Sequence, residues 1–399
     1  MSNTAAIAGS KPIVLAYSGG LDTSFLVPWL AENYGRPIIT VTVDTGGIDA
    51  ATARTLSERA RALGAIEHHQ VDARADYFEQ VLRFLVMGNV KRGQLYPLCV
   101  GAERVMQAQT IAHMARKLGT NSIAHGCTAA GNDQVRFEVA LRTLAPELEV
   151  IAPVRDRAFK RQDELEFLQK RNLPVPPFGA AYSINRGLWG VTIGGKETLT
   201  SGGSIPDHAW VLTRDAFTNP RAPERHVISF KNGRPVGLDG KSLAPVAVIE
   251  ALEGLAAPFG IGRGIHLGDT IIGTKGRVAF EAPAAETLLT AHRELEKLVL
   301  TGRQQRIKEL VAQPYGDDAQ CSASHRSFQC MWTPHHDAGS NADALEAVAA
   351  DIASCLPDAT HDQNSPGRQH FYLGAKGSRT DITLTPAGSN RLRLVVSGK

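Results

Sequence analysis

A segment rich in glycine and hydroxyl groups, AYSGGLDTS at residues 16–24, lies between a short apolar run and a helical pattern. Two adjacent glycines allow a tight turn, and the amides at the start of the following helix then point towards a bound anion. Ser18, Thr23 and Ser24 offer hydroxyl donors, while Asp22 can accept a proton or face a Mg²⁺ ion held by phosphates. The segment is neither GxGxxG nor the GxxxxGK-Ser/Thr arrangement, because no lysine follows its glycines. This first loop (residues 16–24) predicts a cradle for phosphates, with a purely structural turn as the alternative.

A second segment with varied polar groups, HGCTAAGNDQVRF at residues 125–137, follows another short apolar run. It offers a hydroxyl, two amides, a carboxylate and a guanidinium, on Thr128, Asn132, Gln134, Asp133 and Arg136. An amino-acid substrate needs such groups, because its ammonium requires an acceptor and its carboxylate requires donors or a cation. This second loop (residues 125–137) therefore predicts an amino-acid site, and an N-cap at Asn132 or Asp133 is the alternative.

Both loops follow predicted strands in a pattern of alternating strands and helices. Apolar runs predict strands at residues 12–16, 38–43 and 122–124. Helical spacing predicts helices at residues 25–34, 51–63 and 104–118. The pattern is typical of an α/β fold, in which helices cover both faces of a parallel sheet and ligands collect at the carboxyl ends of its strands. We therefore expect the two loops to lie at the same edge of one sheet.

Three prolines within four residues interrupt regular structure in the segment NLPVPPF, residues 172–178. We place the main domain boundary there. The predicted divisions are a flexible tail at residues 1–10, a first domain at 11–172, a second domain at 173–365 and a C-terminal segment at 366–399. Beyond the boundary we predict a strand at residues 226–230, a hairpin at 231–238, and helices at 243–255 and 284–301.

The charge balance is nearly even, with 43 basic and 40 acidic residues among 399 and a formal net charge of +3. Nucleic-acid binding usually needs a one-sided positive field, so we expect a small anionic ligand and no nucleic acid. Hydrophobic residues make up 43% and charged residues 21%, which is typical of a soluble globular chain with no membrane partner. The tail at residues 1–10 lacks the basic start and apolar core of a signal peptide.

The five cysteines are few and widely spread, which favours free thiols in a reducing cytoplasm over a disulfide scaffold. Cys321 and Cys330 stand near His325, His335 and His336, but their spacing matches no CxxC pattern. We therefore expect no metal held by protein side chains alone, and any Mg²⁺ to be bound through phosphates.

Four motifs occur in a fixed order along the chain: AYSGGLDTS at residues 16–24, HGCTAAGNDQVRFE at 125–138, YSINRGLWG at 182–190 and GTKGR at 273–277. In this order and spacing they resemble the argininosuccinate synthase family, over about residues 12–314. The resemblance implies a Rossmann-like parallel sheet of the ATP-pyrophosphatase (adenine nucleotide alpha hydrolase-like) type. It further implies an α+β synthetase and multimerisation domain after that sheet.

The resemblance also implies an activity. Enzymes of this family use ATP with Mg²⁺ to adenylate citrulline, and the amine of L-aspartate then displaces AMP to form a C–N bond. The family further implies a cytoplasmic homotetramer that acts in arginine biosynthesis.

Roles for individual residues follow from the same resemblance. The ATP positions are Ala16, Tyr17, Ser18, Gly19, Gly20, Leu21, Asp22, Thr23, Ser24, Val43 and Gly126. The aspartate positions are Thr128, Asn132 and Asp133, and the acceptor positions are Tyr96, Gly101, Asn132, Arg136, Ser183, Thr192, Gly268 and Phe280. The expected catalytic residues are Asp22, Ser24, Asp133 and Arg136. Asp22 with Mg²⁺ would offset charge on the departing pyrophosphate, Arg136 would orient the acceptor, and Asp133 would hold the aspartate amine.

Several acceptor positions depart from the family pattern. Gly101 stands where the family has a serine, Gly268 replaces a glutamate, and Phe280 replaces a tyrosine. Ala130 replaces a lysine and Gly194 a glutamate. A buried ammonium without a partner costs on the order of a few kcal/mol, so these changes should weaken citrulline binding by orders of magnitude.

We therefore predict an AMP-forming ligase that condenses L-aspartate with a less polar amide, ureido or carboxyl acceptor, not with citrulline. A genuine argininosuccinate synthase, whose missing groups are supplied from elsewhere, is the alternative. An inactive sensor of ATP and aspartate is a more distant alternative, against which the intact Ser18, Asp22 and Ser24 argue.

Overall fold

The chain forms two compact units, Met1–Val86 with Leu95–Leu288 and Met87–Gln94 with Leu289–Lys399. The computed structural model describes residues 11–128, 132–177, 181–200, 202–269, 275–302, 304–305, 320–323, 327–332, 341–355, 359–365, 367–373, 380–387 and 391–398. The predicted tail at residues 1–10 lies outside these ranges, and the predicted domain boundaries stay predictions. Within the described ranges, no helix combines the length and apolar character needed to cross a bilayer.

The first unit contains a five-stranded parallel sheet. Its strands are β1 (Ile13–Ala16), β2 (Ile38–Asp44), β3 (Glu67–Asp72), β4 (Ser122–His125) and β5 (Glu149–Ile151), in the spatial order β3-β2-β1-β4-β5. Successive side chains of a strand point to opposite faces, so a strand covered on both sides is apolar throughout. This explains β1, whose Ile13 and Leu15 enter one core and whose Val14 enters the other.

Helices cover both faces of this sheet. They are α1 (Leu21–Tyr34), α2 (Ala50–Ala62), α3 (Arg74–Tyr77), α4 (Arg83–Gly88), α5 (Glu103–Lys117), α6 (Asn132–Leu144), α7 (Pro153–Asp156) and α8 (Arg161–Lys170), with a π-helical turn at Phe78–Leu82. Leu26, Leu56 and Leu168 from α1, α2 and α8 share one core. Ile111 and Leu141, from α5 and α6, belong to the core on the opposite face. The predicted α/β architecture is confirmed.

The start of α1 corrects one prediction. Helical spacing predicted a helix from residue 25, but α1 begins at Leu21, with Gly20 as its extended N-cap at φ −73° and ψ 173°. The helix starts directly after the glycine pair because Leu21 is already buried there. Asp22 and Ser24 therefore belong to the first helical turn, not to a loop before it.

The strand order reverses at β1. From β1 the chain proceeds to β2 and β3 on one side, and it later enters β4 and β5 on the other. Ala16 at the end of β1 pairs with His125 at the end of β4. In sheets of this kind a crevice opens at the carboxyl ends of two such neighbouring strands. The first and second loops therefore leave the sheet side by side, at the position where sheets of this kind bind ligands.

The rest of the first unit is built around two antiparallel sheets. Their strands are β6 (Ser183–Gly187), β7 (Gly190–Gly194), β8 (Ile228–Lys231), β9 (Arg234–Leu238), β10 (Lys241–Ser242), β11 (Arg263–Asp269) and β12 (Lys275–Glu281), in the orders β11-β12-β7-β6 and β10-β9-β8. Short 3-10 turns lie at Lys196–Leu199, Asp207–Ala209 and Ala257–Phe259. The predicted hairpin is confirmed at β8 and β9, where Asn232 and Gly233 at φ 51° and 72° form a two-residue turn. Helix α9 (Pro245–Ala256) matches the prediction at residues 243–255.

The second unit contains a six-stranded antiparallel sheet. Its strands are β13 (Gln320–Ala323), β14 (Ser327–Trp332), β15 (Thr360–Ser365), β16 (Arg368–Leu373), β17 (Thr380–Pro386) and β18 (Leu392–Gly398), in the order β13-β14-β18-β17-β16-β15. Helix α10 (Pro283–Val299), which was predicted at residues 284–301, leads into this unit, and α11 (Asn341–Cys355) covers the sheet. Leu345 and Ala349 of α11 pack on Phe371 and Leu384. The backbones of Cys321 and Cys330 are paired in register on β13 and β14, but His325, His335 and His336 lie outside the described residues.

Phe25 fixes α1 against the segment around α8. It is 2% exposed, and its ring stands edge-on to Phe159 and Phe167 at 5.1 and 5.0 Å. We expect Phe25→Ala to lower the free energy of unfolding by about 3–5 kcal/mol in urea titrations followed by circular dichroism. Val139→Ala on α6, where the side chain is 58% exposed, should change it by at most about 0.5 kcal/mol. Similar effects of the two variants would contradict this account of the core.

Candidate functional site

The first loop extends the β1 ladder by one residue and then turns sharply into α1. The Tyr17 amide donates to the Val41 carbonyl at 2.9 Å. Gly19 has a φ of 74°, in the left-handed region, and a Cβ at this position would overlap the Leu56 side chain. Glycine alone satisfies both conditions, so the turn that presents the first amides of α1 depends on Gly19.

The hydroxyl groups of the first loop are linked to one another. Ser18 Oγ lies 3.2 Å from Thr23 Oγ1, which also donates to the Gly20 carbonyl at 3.3 Å. Ser24 is fully buried, and its hydroxyl lies 3.4 Å from the Tyr17 phenol. Ser18 and Gly20 are exposed. The loop therefore presents the Ser18 hydroxyl and the positive end of α1 to solvent, while Ser24 supports it from below.

The second loop passes directly over the start of α1. A Cβ on Gly126 would lie 3.0 Å from Thr23 Cγ2 and 3.4 Å from Asp22 Cβ, so the two backbones approach closely. Thr128 is exposed farther along the loop, and Val43 is partly buried near the end of β2. The structure thus brings the predicted nucleotide positions to one end of the sheet. Their contacts with a nucleotide stay predictions.

His125, at the end of β4, supports the second loop. It is 1% exposed, its Nδ1 lies 3.3 Å from the Cys127 amide, and its ring stands edge-on to Phe137 at 5.6 Å. Burial, with a smaller contribution from the charge of Arg155, lowers the pKa of His125 to about 4. The imidazole is therefore neutral at physiological pH, and its role is to hold the loop.

Asp133 lies between two guanidinium groups. Arg104 Nε is 3.1 Å from one carboxylate oxygen, and Arg136 donates to the other at 3.2 Å. The Asp133 side chain is 38% exposed. Helix α6 begins at Asn132, so Asp133 lies within its first turn and is not the N-cap that was the alternative for this residue. In this clamp (Arg104, Asp133 and Arg136) the two arginines hold the Asp133 carboxylate in place. The carboxylate stays open to solvent, which the predicted binding of a substrate ammonium would require.

Arg104 was missed by sequence reasoning, although it connects the clamp to two other elements. It lies 3.1 Å from Glu103 Oε1, 2.9 Å from Gln107 Oε1 and 3.2 Å from Asn185 Oδ1 on β6. The other oxygen of Glu103 accepts from Thr45 Oγ1 at 3.0 Å, directly after β2. The sequence signal that could have identified it is the adjacent acidic and basic pair, Glu103 and Arg104, at the start of the predicted helix. This network links the edge of the parallel sheet to the antiparallel sheet.

The predicted acceptor positions on strands share one face of the four-stranded antiparallel sheet. Paired residues in adjacent strands lie on the same face, and so do residues two apart in one strand. Asn185, Thr192, Phe280 and Gly264 pair in a row across β6, β7, β12 and β11. Their neighbours at spacing two complete this acceptor face, which comprises Ser183, Asn185, Thr192, Phe280, Gly264, His266 and Gly268.

The hairpin of β6 and β7 is fixed to the parallel sheet by its Leu-Trp-Gly segment. The Leu188 amide donates to the Thr45 carbonyl at 2.8 Å. The Trp189 indole, which is 1% exposed, donates to the Pro97 carbonyl at 2.8 Å. These two bonds place the acceptor face next to the residues around Tyr96 and next to the clamp.

Aromatic rings occupy the part of the acceptor face where the sequence departs from the family pattern. The Tyr96 ring stacks on His266 at 5.4 Å and 19°, and it lies 5.1 Å from the Phe280 ring. A Cβ on Gly268 would lie 2.9 Å from His266 Nε2, and a Cβ on Gly264 would lie 2.5 Å from the Phe280 ring. The two glycines therefore make room for the imidazole and the phenyl ring. His266 was missed by sequence reasoning. Its imidazole fills the space next to Gly268, the position where the family pattern has a glutamate.

Gly101 lies next to the clamp. A Cβ at this position would be 3.4 Å from the guanidinium carbon of Arg136. A serine at position 101, as in the family pattern, would thus contact Arg136, which was predicted to orient the acceptor. The structure therefore brings Tyr96, Gly101, Arg136 and the acceptor face together.

Residues 12–174 match the profile of the arginosuccinate synthase N-terminal HUP domain, and residues 182–320 match that of the arginosuccinate synthase C-terminal domain. Together these matches cover more than half of the chain. The chain belongs to the argininosuccinate synthase family. Its expected class, a ligase that forms C–N bonds, and its predicted fold class are confirmed.

Curated argininosuccinate synthases from distant organisms are similar to this family member over most of their length. The protein of Pyrobaculum aerophilum is 38% identical over 311 residues, 78% of each chain. That of Methanocaldococcus jannaschii is 37% identical over 304 residues, 76% of each chain. That of Xanthomonas campestris pv. campestris is 41% identical over 312 residues, 77% of each chain. The resemblance inferred from four short motifs is therefore confirmed across about three-quarters of the chain.

Glu103 is a buried acid beside the clamp of this argininosuccinate synthase family member. It is 2% exposed, and burial raises the pKa of its carboxyl to about 7. Arg104 and the hydrogen bond from Thr45 oppose this rise, whereas Asp133 and Asp44 add to it. Glu103 therefore exchanges its proton near neutral pH, unlike an exposed glutamate.

We expect Glu103→Gln to remove a pH dependence of stability. The pKa of about 7 in the folded protein exceeds the ordinary value of 4.5, so the folded state binds more protons between these pH values. Stability therefore falls as pH rises through this window, by roughly 3 kcal/mol. Glutamine resembles the protonated acid, so the Tm of the variant relative to the unaltered chain should rise between about pH 5 and about pH 8. Glu166→Gln, at an exposed acid on α8, should give a flat difference. A flat difference for both variants would contradict the raised pKa.

Proposed function

We propose that this chain is an ATP-dependent argininosuccinate synthase, which condenses citrulline with L-aspartate and releases AMP and pyrophosphate. The observation that carries the proposal is the adjacency of Ala16 and His125. It supports the proposal because the two loops that we expect to bind phosphates and an amino acid leave the sheet side by side, within a chain of this family. The similar proteins of known name, at 37–41% identity, favour the family substrates.

In this proposal the first loop binds the β- and γ-phosphates of ATP with its helix amides and the Ser18 hydroxyl. The ureido oxygen of citrulline attacks the α-phosphorus in line, forms a C–O–P bond and expels pyrophosphate. The amine of aspartate then attacks the activated carbon, AMP leaves with the oxygen, and the amine loses a proton. Asp133 holds the ammonium of aspartate before this step, and Arg136 orients the acceptor. Catalysis consists mainly of positioning and charge stabilisation, since three reactants must meet in register.

Mg²⁺ accompanies ATP in the proposed reaction and neutralises charge on the pyrophosphate. Asp22 fits this ion, because it lies in the first turn of α1 beside the loop and carboxylates are among the oxygen ligands that Mg²⁺ prefers. The chain's own groups therefore suit a divalent cation bound together with phosphates.

A changed acceptor is the second candidate, and the observation that favours it is the aromatic filling of the acceptor face. An ammonium at this place would meet the His266 imidazole and the Phe280 ring instead of a carboxylate and a phenol. An aromatic wall suits a less polar amide, ureido or carboxyl compound. The nucleotide and aspartate positions are the same in both candidates, so the acceptor alone distinguishes them.

The deciding experiment measures AMP release with ATP, Mg²⁺ and aspartate, with and without citrulline. We expect citrulline to start turnover at an ordinary enzymatic rate, on the order of 1–10³ per second, with equal amounts of AMP and argininosuccinate. Asp133→Asn should raise the KM for aspartate more than the KM for citrulline, because the ammonium of aspartate loses its charged partner, whereas Arg136 can still donate to the amide oxygen of the asparagine. Absence of citrulline-dependent AMP would overturn the proposal.

The same assay tests the changed acceptor. In that case Gly268→Glu with Phe280→Tyr should create citrulline turnover, provided that His266→Ala clears the space that the imidazole fills. A triple variant that gains nothing, in a chain that also ignores citrulline, would exclude both candidates.

The family resemblance also supports a cytoplasmic homotetramer. With a chain mass of 42.8 kDa, light scattering should give about four times that value. A mass of one or two chains at working concentration would contradict the tetramer.

A further inference from the structure

Glu164 is a buried acidic side chain whose hydrogen-bonding neighbour is another acid, Asp22. It lies on α8, it is 1% exposed, and neither of its carboxylate oxygens finds a donor among the described residues. An ionised carboxylate in this state costs several kcal/mol unless a cation or proton joins it. Unsatisfied buried acids of this kind are rare in folded proteins and call for a specific explanation. A cation or a proton beside Glu164 would therefore account for its burial.

The Glu164 carboxyl faces that of Asp22 in the first turn of α1. Helices α1 and α8 pack against each other through Phe25 and Phe167, whose rings are 5.0 Å apart. This packing brings the two carboxyl groups within hydrogen-bonding reach. Two acids in contact repel each other unless something positive lies between them.

The position of the pair indicates what that positive group is. Asp22 stands at the end of α1 where the first loop presents Ser18 and the helix amides to an anion. Mg²⁺ is usually held by one or two carboxylates together with the phosphates of a nucleotide. Arg161, a cation on the same helix, donates no hydrogen bond to either Glu164 oxygen. A divalent ion that shares ligands with the phosphates meets the requirements of both carboxylates.

We propose that Glu164 and Asp22 jointly ligate the divalent cation that binds with the nucleoside triphosphate in the first loop. This inference rests on the proposed function, and it adds a protein ligand from α8 that the motif of the loop does not contain. It also replaces the expectation that the metal is held through the phosphates alone. A pair of acids that only share a proton is the competing explanation, and it requires no metal.

The test measures metal binding without turnover. Mn²⁺ is titrated into the full chain with saturating α,β-methylene-ATP, which cannot be split between its α- and β-phosphates, and free Mn²⁺ is counted by electron paramagnetic resonance. Neither aspartate nor an acceptor is added. We expect Glu164→Gln and Asp22→Asn each to raise the Kd for Mn²⁺ by about tenfold or more. Binding of the nucleotide in the presence of EDTA should change much less in Glu164→Gln.

The matched control is Glu166→Gln on the same helix, where the exposed carboxylate pairs with Lys170 at 3.2 Å. It should bind Mn²⁺ as tightly as the unaltered chain. Glu164→Asp keeps the carboxylate and should lose less affinity than Glu164→Gln, which remains informative if the glutamine variant folds poorly. Unchanged Mn²⁺ affinity in a folded Glu164→Gln variant would overturn the proposal and favour proton sharing. Because no acceptor takes part, this outcome is independent of whether citrulline is the substrate.

Discussion

The adjacency of β1 and β4 is the constraint on which the site depends. Parallel strands joined by right-handed crossovers all end at the same edge of the sheet. Because β2 and β3 lie on one side of β1, and β4 and β5 on the other, the strand order reverses at β1, where such sheets form a ligand crevice, and the loops after β1 and β4 leave the sheet side by side. The apolar β1, buried from both sides, keeps this arrangement rigid. The chemistry of the loops can therefore change while their relative position stays fixed.

Around this crevice, positively and negatively charged side chains stand together in groups whose charges offset each other. The clamp and Glu103 bring two guanidinium groups and two carboxylates together in a mostly buried place. Since the opposite charges offset each other, the side chains keep their geometry before any substrate arrives. Asn185 and Thr45 extend the same network to the two neighbouring sheets. A preorganised arrangement of this kind avoids the cost of reorienting dipoles during the reaction.

Local signals in the sequence were sufficient for much of the fold and for part of the site. The strands β1, β2 and β4 are short, apolar and bounded by glycine or polar residues, so their ends were predicted to within one residue. The two loops were found because their polar groups are close together in sequence. Helix α1 was placed four residues late, because spacing alone does not show that a helix starts at the second glycine of a turn.

Residues that act through distant contacts could not be found in the same way. Glu164 meets Asp22 only because α8 packs on α1, and Arg104 reaches Asn185 only in the folded chain. His266 belongs to the acceptor face through the register of β11, and the glycines at 264 and 268 weaken the strand signal of that segment. Pairing and packing, which set these contacts, are not written in any single stretch of sequence.

The fit between His266 and Gly268 has a consequence for how such a pocket evolves. Because a Cβ at position 268 would lie 2.9 Å from His266 Nε2, a side chain at that position requires the imidazole to move from its present place. A lineage that restores an acid at 268 first meets a steric clash, and one that first shortens His266 leaves a void beneath Tyr96. A change from a pocket with an imidazole at 266 to one with an acid at 268 therefore requires replacements at both positions. The order in which these mutations occur constrains which substrates the descendants can acquire.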